Sequence, residues 1–223
     1  MKSILTFILC CAFFVGVNAE DTKYEKAMKK NIAKMDSANT VEANIELSNS
    51  FERIALAEKD KWLPYYYASM TQVLASFMDS TMSQKDVYLD KALTLITVAD
   101  SLQPDESEIY VIKGMIGMAR MQIDPMNRYM KYGTEMNNNL QKALELNPAN
   151  PRPENWMGVM KYYTPEQFGG GAKAAQPVLE SSLKKYNEFV PADDLMPVWG
   201  KGTVETMLNE INSKLTPNEE NQE

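Results

Sequence analysis

Ala92–Pro104 reads ALTLITVADSLQP, and Met136–Pro148 reads MNNNLQKALELNP. Both carry one frame, Ala92-x3-Ile96-x2-Ala99-x4-Pro104 and Met136-x3-Leu140-x2-Ala143-x4-Pro148, offset by 44 residues. Apolar or small residues at steps of three and four line one face of an α-helix. A proline just beyond the last of them stops it. Ten residues after each proline stands a glycine, Gly114 in YVIKGMIG and Gly158 in NWMGVMKY, again 44 apart. Ala68 in YYYASM lies 46 residues before Gly114 and fills the same place one unit earlier. A helix with one small residue, then a helix with the spaced frame, recurring at a fixed interval, is the pattern of stacked helix pairs.

Outward from these segments the three-and-four periodicity continues across nearly the whole chain. Helices are expected near 22–36, 40–59, 61–80, 84–102, 106–122, 126–146, 153–163, 171–187 and 201–214, with proline and glycine between them. Asp60 is the expected cap of the third helix, which leaves Pro64 in its first turn, where a missing N–H is tolerated. No β-branched alternation interrupts the pattern. The expected fold is all-α, a right-handed superhelix of antiparallel helix pairs.

The frame resembles the tetratricopeptide repeat. In that family a small residue of helix A packs closely on a neighbouring helix, helix B carries the small–aliphatic–Ala pattern, and a proline closes the unit. The resemblance implies packing roles for Ala68, Gly114 and Gly158 in the A helices and for Ala92, Ala99 and Ala143 in the B helices, with Pro104 and Pro148 closing. It covers about residues 40 to 190. The period is 44, not about 34, so roughly ten residues are added between the two signatures. A third B helix, AAQPVLESSLKKY, fits loosely as Ala175-x3-Leu179-x2-Ser182. WLPYYYAS, YLDKA and the late PE-x-x-GGG also resemble exported repeat proteins of Gram-negative bacteria, which implies a location and no activity.

The chain begins MKSILTFILCCAFFVGVNAED. A basic Lys2, an apolar run over Ile4–Val17 and small residues at Val17 and Ala19 make a secretory signal peptide cleaved after Ala19. The run is shorter than the about 20 residues a spanning helix needs. Residues 1–19 are thus expected to leave, 20–215 to form the repeat domain, and 216–223 to be a polar tail. Both cysteines, Cys10 and Cys11, fall in the leader, and the chain has no histidine. The mature chain would then have no disulfide, no Cys/His zinc site, no haem axial histidine and no Ser-His-Asp or Cys-His catalysis. The net charge of −7 becomes one unit more negative when Lys2 leaves. An acidic surface argues against nucleic acid and anionic membranes as partners.

Four motifs bear on chemistry. PEQFGGGAKAAQP, Pro165–Pro177, lacks both the preceding strand and the Ser/Thr after lysine that a phosphate loop needs. Gly169, Gly170 and Gly171 therefore read as a turn between helices. Trp62, Tyr65, Tyr66 and Tyr67 step by about 100° each on a helix, so they cannot all face one core. At least one is expected to reach solvent or the groove of the superhelix, either as packing between repeats with one hydroxyl at the surface or as a tyrosine that lines a ligand groove. Met115, Met118 and Met121 read as core, with an adaptable apolar groove as the alternative. Asp105, Glu106, Glu108 and Asp193, Asp194 sit where helices are expected to begin, where the positive helix end favours acids.

The functional expectation is an exported, periplasmic or secreted, non-catalytic scaffold without cofactor that binds a protein or peptide in its concave groove. One alternative is a carrier for a small apolar ligand. It requires a pocket of about 300 Å³ or more, lined by methionine and tyrosine with few charges. A carboxylate hydrolase requires two acids facing each other about 5 to 10 Å apart in a cleft.

Overall fold

Thr22 opens the first helix with a reciprocal cap. Its hydroxyl accepts from the Glu25 N–H at 3.2 Å, and its own N–H donates to the Glu25 carboxylate at 2.6 Å. From this point the computed structural model describes residues 22–215. The expected leader, 1–19, and the expected tail, 216–223, lie outside the described residues. The helices are α1 (Lys23–Met35), α2 (Val41–Glu58), α3 (Trp62–Met78), α4 (Met82–Leu102), α5 (Ser107–Ile123), the short α6 (Pro125–Arg128), α7 (Thr134–Leu146), α8 (Arg152–Tyr163), α9 (Ala172–Glu188) and α10 (Lys201–Leu215). No strand occurs among the described residues. The chain is all-α, with α1/α2, α3/α4, α5/α7 and α8/α9 packed as consecutive pairs and α10 laid against α9.

The repeat interval has a direct structural counterpart. A Cβ at Gly114 would lie 2.7 Å from Leu140 Cδ2 on α7, and one at Gly158 would lie 2.5 Å from Leu179 Cδ2 on α9. Each glycine thus lets its A helix sit on the central leucine of the B helix in the same unit. The start of each unit is tied in the same way. Ser107 at the start of α5 donates its hydroxyl to the Ala143 carbonyl at 2.8 Å. One unit later proline stands in place of that serine, and the bond reverses: Ser182 donates to the Pro151 carbonyl at 2.9 Å. The serine that made the third frame look loose supplies the hydroxyl that Pro151 lacks. Ala68, Ala92, Ala99 and Ala143 are fully buried, whereas Pro104 and Pro148 are exposed and act only by ending helices.

Two local expectations are corrected. Lys61, not Asp60, is the N-terminal flanking residue of α3, and no side chain caps it. Glu106 and Glu108 do stand at the start of α5, with Glu106 accepting from the Glu108 N–H at 3.1 Å, but Asp193 and Asp194 begin no helix, since α10 opens at Lys201. Asp105 occupies the left-handed region in the preceding turn, with φ 60°. Glu108 is buried, Asp193 caps a turn through the N–H groups of Leu195 and Met196, and Asp194 pairs with Lys29 at 3.0 Å.

The helix expected over 126–146 is broken. Asp124 and Pro125 start one α-turn, Tyr129–Gly133 winds as a π-helical turn, and α7 resumes at Thr134. Gly117 makes room for it. A Cβ there would stand 3.0 Å from both the Tyr132 carbonyl oxygen and the Met136 nitrogen, which are backbone atoms that cannot swing away. Inserted π turns recur at functional sites because they re-aim side chains without ending the helix.

Candidate functional site

The groove face of the A helices is not free. Glu108 at the start of α5 and Arg152 at the start of α8 stand one period apart and pair at 2.8 Å, both buried. Asn150 and Tyr66 also donate to Glu108, at 2.8 and 3.3 Å. Burial pushes the Glu108 carboxyl above its ordinary range, opposed by the Arg152 cation. Across this centre lies the chain's own segment 189–200. The Arg152 guanidinium donates to the Pro197 carbonyl and faces the rings of Phe189 and Trp199 at 4.9 and 5.1 Å. Trp199 donates its indole N–H to Tyr66 at 3.0 Å, and Tyr67 donates to the Leu195 carbonyl at 2.7 Å.

This corrects the reading of the aromatic run. Tyr66 and Tyr67 are buried with their hydroxyls engaged inside the protein, and burial raises both phenols. They hold the covering segment rather than an incoming partner. Tyr65 and Trp62 are half-buried at the edge of the same core. Trp62 also borders a depression of about 850 Å³ between α1, the start of α3 and the 193–195 turn. Seven charged side chains line that depression: Lys23, Glu25, Lys29, Glu58, Lys61, Asp193 and Asp194. Burial and the neighbouring acids push the Tyr24 phenol there up to about 12. Such a lining does not suit an apolar ligand. The Glu108–Arg152 pair was legible as opposite charges at one repeat position. The covering segment was not, because PADDLMPVWG has no periodicity.

A second hollow has the opposite chemistry. Between the π turn with α7 and the end of α8 lies a cleft of about 310 Å³. Tyr129, Gly133 and Met136 form one side, Met157, Met160 and Thr164 the other, and Phe168 with Gly169 the far rim. Asn137 and Gln141 add amides, and Lys161 is the one charged residue in the lining. Met136 is buried and joins Met118, Leu140 and Val159 beneath the cleft. Met115, Met118 and Met121 are all buried, so the α5 methionines are core below the cleft rather than its surface. Two of the lining rings stand largely in solvent, Phe168 74% and Tyr129 54% exposed.

The three glycines hold the rim. Gly169 and Gly171 adopt φ 81° and 89°, the left-handed region that glycine enters without strain. The Gly171 N–H donates to the Lys161 carbonyl at 2.9 Å, which fastens the turn to the end of α8. A Cβ at Gly170 would collide with the Thr164 carbonyl oxygen. The stretch turns a corner, and in doing so presents Phe168 to the cleft.

The solved structure of the HusA haemophore from Porphyromonas gingivalis matches this chain with a TM-score of 0.78 and 31% identity, covering 88% of this chain and 96% of that one. This chain belongs to the HusA haemophore family. No protein-family model matches the chain, so the tetratricopeptide resemblance extends only to a helical, repeat-like stack. No curated protein matches it either. The HusA protein is named a haemophore, a name that fits the expected small-ligand carrier better than the peptide scaffold. Among the described residues, no helix of this HusA-family chain is long and apolar enough to cross a membrane, and no cluster of three or more His, Cys, Asp or Glu could hold a metal ion.

Proposed function

We propose that this protein is an exported, non-catalytic carrier of haem or a closely similar flat tetrapyrrole, held in the cleft between the π turn, α7 and α8. The observation that carries the reading is the lining: three methionines and two aromatic rings around about 310 Å³, with one charge. That size and lining meet the requirement for a small apolar ligand. Membership of a haemophore family supplies the ligand class. Methionine adapts its shape to a flat ring system, and Tyr129 and Phe168 both line the cleft, where ring stacking is available. With no histidine in the chain, the thioethers and the Tyr129 phenol would be the donors that the cleft offers to iron. Affinity then rests mainly on burial of the ring. The architecture is read as a tetratricopeptide-type stack with lengthened A–B connections, supported by the repeated Gly114–Leu140 and Gly158–Leu179 contacts.

The test is titration of the purified mature chain with haemin, followed by the haem absorbance band and by tryptophan fluorescence. Saturable one-site binding is expected, lost in Met157→Asp, which places an unpaired charge on the cleft wall. Binding absent from the unaltered chain, or unchanged in a folded Met157→Asp variant, would overturn the reading. Export is tested separately: N-terminal sequencing of the mature protein should begin at Glu20, and uncleaved protein recovered from membranes would oppose it.

A further inference from the structure

Resting on that reading of the cleft, we propose that Lys161 receives a carboxylate of the ligand and fixes which edge of the ring system points outward. Lys161 is the sole charged residue lining the cleft. It is exposed at the rim and makes no ion pair among the described residues. Lys29, Lys91, Lys113, Lys185 and Lys214 each hold a carboxylate at 2.6–3.0 Å, and lysines without an ion pair among the described residues, such as Lys173 and Lys184, stand on exposed helix faces away from this cleft. A lysine in the last turn of a helix is favoured by the helix dipole alone. That preference does not explain why this one borders an apolar cleft without an acid beside it.

Its backbone is also held. The Lys161 carbonyl accepts from Gly171 at 2.9 Å, and a Cβ at Gly170 would come within 2.6 Å of the same oxygen. The glycine turn thus pins the point from which the ammonium extends. An apolar floor with one cation at its mouth suits an amphipathic anion: a flat hydrophobic ring system whose acidic groups lie on one edge. A neutral ring of the same shape would leave the ammonium without a partner. The class is a tetrapyrrole bearing carboxylates, and the contact does not involve the iron.

The experiment uses metal-free mesoporphyrin and its dimethyl ester as probes, with the unaltered mature chain, Lys161→Met, Lys161→Arg and Met157→Asp, read by fluorescence titration at two salt concentrations. The unaltered chain should bind the diacid about two- to fivefold more tightly than the ester, the range expected of one solvent-screened charge pair. The preference should shrink with salt, vanish in Lys161→Met and persist in Lys161→Arg. An unchanged preference in Lys161→Met, with binding of both probes still lost in Met157→Asp, would overturn the Lys161 assignment and leave the cleft standing. Binding of both probes that survives Met157→Asp, or no binding by the unaltered chain, would overturn both.

Discussion

Gly158→Ala is the sharpest perturbation of the stack. The added methyl would lie 2.5 Å from Leu179 Cδ2 and 2.6 Å from its Cγ. Both are well inside ordinary van der Waals contact, and Cγ is not a free end that can swing aside. Overpacking of this kind costs about 1–3 kcal/mol. Against it stands the gain of about 1 kcal/mol from replacing glycine by alanine inside a helix. The net loss should be about 0–2 kcal/mol, a fall in melting temperature of a few degrees for a chain of this size. Leu179→Ala alone removes a fully buried side chain and should lose about 2–5 kcal/mol. In the double variant the new methyl occupies the space that the leucine vacated. Its loss should therefore be smaller than the sum of the singles by about 1–3 kcal/mol. Gly202→Ala is the internal control: it lies in α10 with nothing within 4 Å of the new methyl, and should stabilise by about 0.5–1 kcal/mol. Urea unfolding followed by circular dichroism and fluorescence gives all four values. Additivity of Gly158→Ala and Leu179→Ala within about 0.5 kcal/mol would mean that close approach does not set the energy of this contact.

Three further outcomes are expected. Arg152→Met should destabilise by about 3–5 kcal/mol because it leaves Glu108 buried without its cation, and Arg152→Met with Glu108→Met should recover most of the loss. A double variant no better than the single would show that the ion pair is not what Arg152 supplies. Gly171→Ala should lower the melting temperature, since φ is 89° and the methyl would come within 2.6 Å of Glu166 Cγ, while Lys173→Ala should change little and the protein should not bind ATP or phosphate. Calorimetric titration showing saturable phosphate binding that Lys173→Ala removes would contradict the structural role of the turn. Asp86 accepts both guanidinium nitrogens of Arg128 at 2.8 Å, and this hydrogen bonding holds its carboxyl below the ordinary range. A depressed folded pKa gives stability that is present above the unfolded value, about 3.8, and lost as pH falls through the folded one. The advantage of the unaltered chain over Asp86→Asn, within the about 0.2–1 kcal/mol of a screened pair, should thus hold at pH 6 and fade below pH 4 in urea melts. An advantage that grew on acidification would invert the assignment.

What the sequence revealed followed from periodicity. The helices, the 44-residue interval and the small residues under the leucines are statements about one face of a helix, and a face leaves a regular trace. The groove was misread because its occupant leaves no such trace. Residues 189–200 pack through Leu195, Pro197 and Trp199 onto a buried ion pair, a tertiary arrangement that no local pattern encodes. The three tyrosines do divide in exposure, yet the two that turn inward complete the contact to this segment. The π turn was hidden for a related reason. Its residues keep helical character, and its cause is the space beside Gly117, on a different helix. The cleft methionines are scattered across Met136, Met157 and Met160, and only the pairing of α7 with α8 brings them together.

The lengthened repeat and the cleft have one origin. In a stack of antiparallel pairs every A-to-B connection falls on the same edge. The residues beyond the usual interval lie in those connections, as α6 and the π turn in one unit and as the Pro165–Gly171 turn in the next. Neighbouring connections therefore face each other across the seam between units, and Tyr129 and Phe168 come from consecutive ones. Lengthening them adds walls at the edge without altering the Gly114–Leu140 and Gly158–Leu179 contacts that set the stacking distance. The groove face is then free to be closed by residues 189–200, which lie over the buried Glu108–Arg152 pair that joins the first turns of α5 and α8. The face where a peptide-binding repeat would hold its partner is thus occupied by the chain itself. The apolar cleft lies at the edge instead, between consecutive connections.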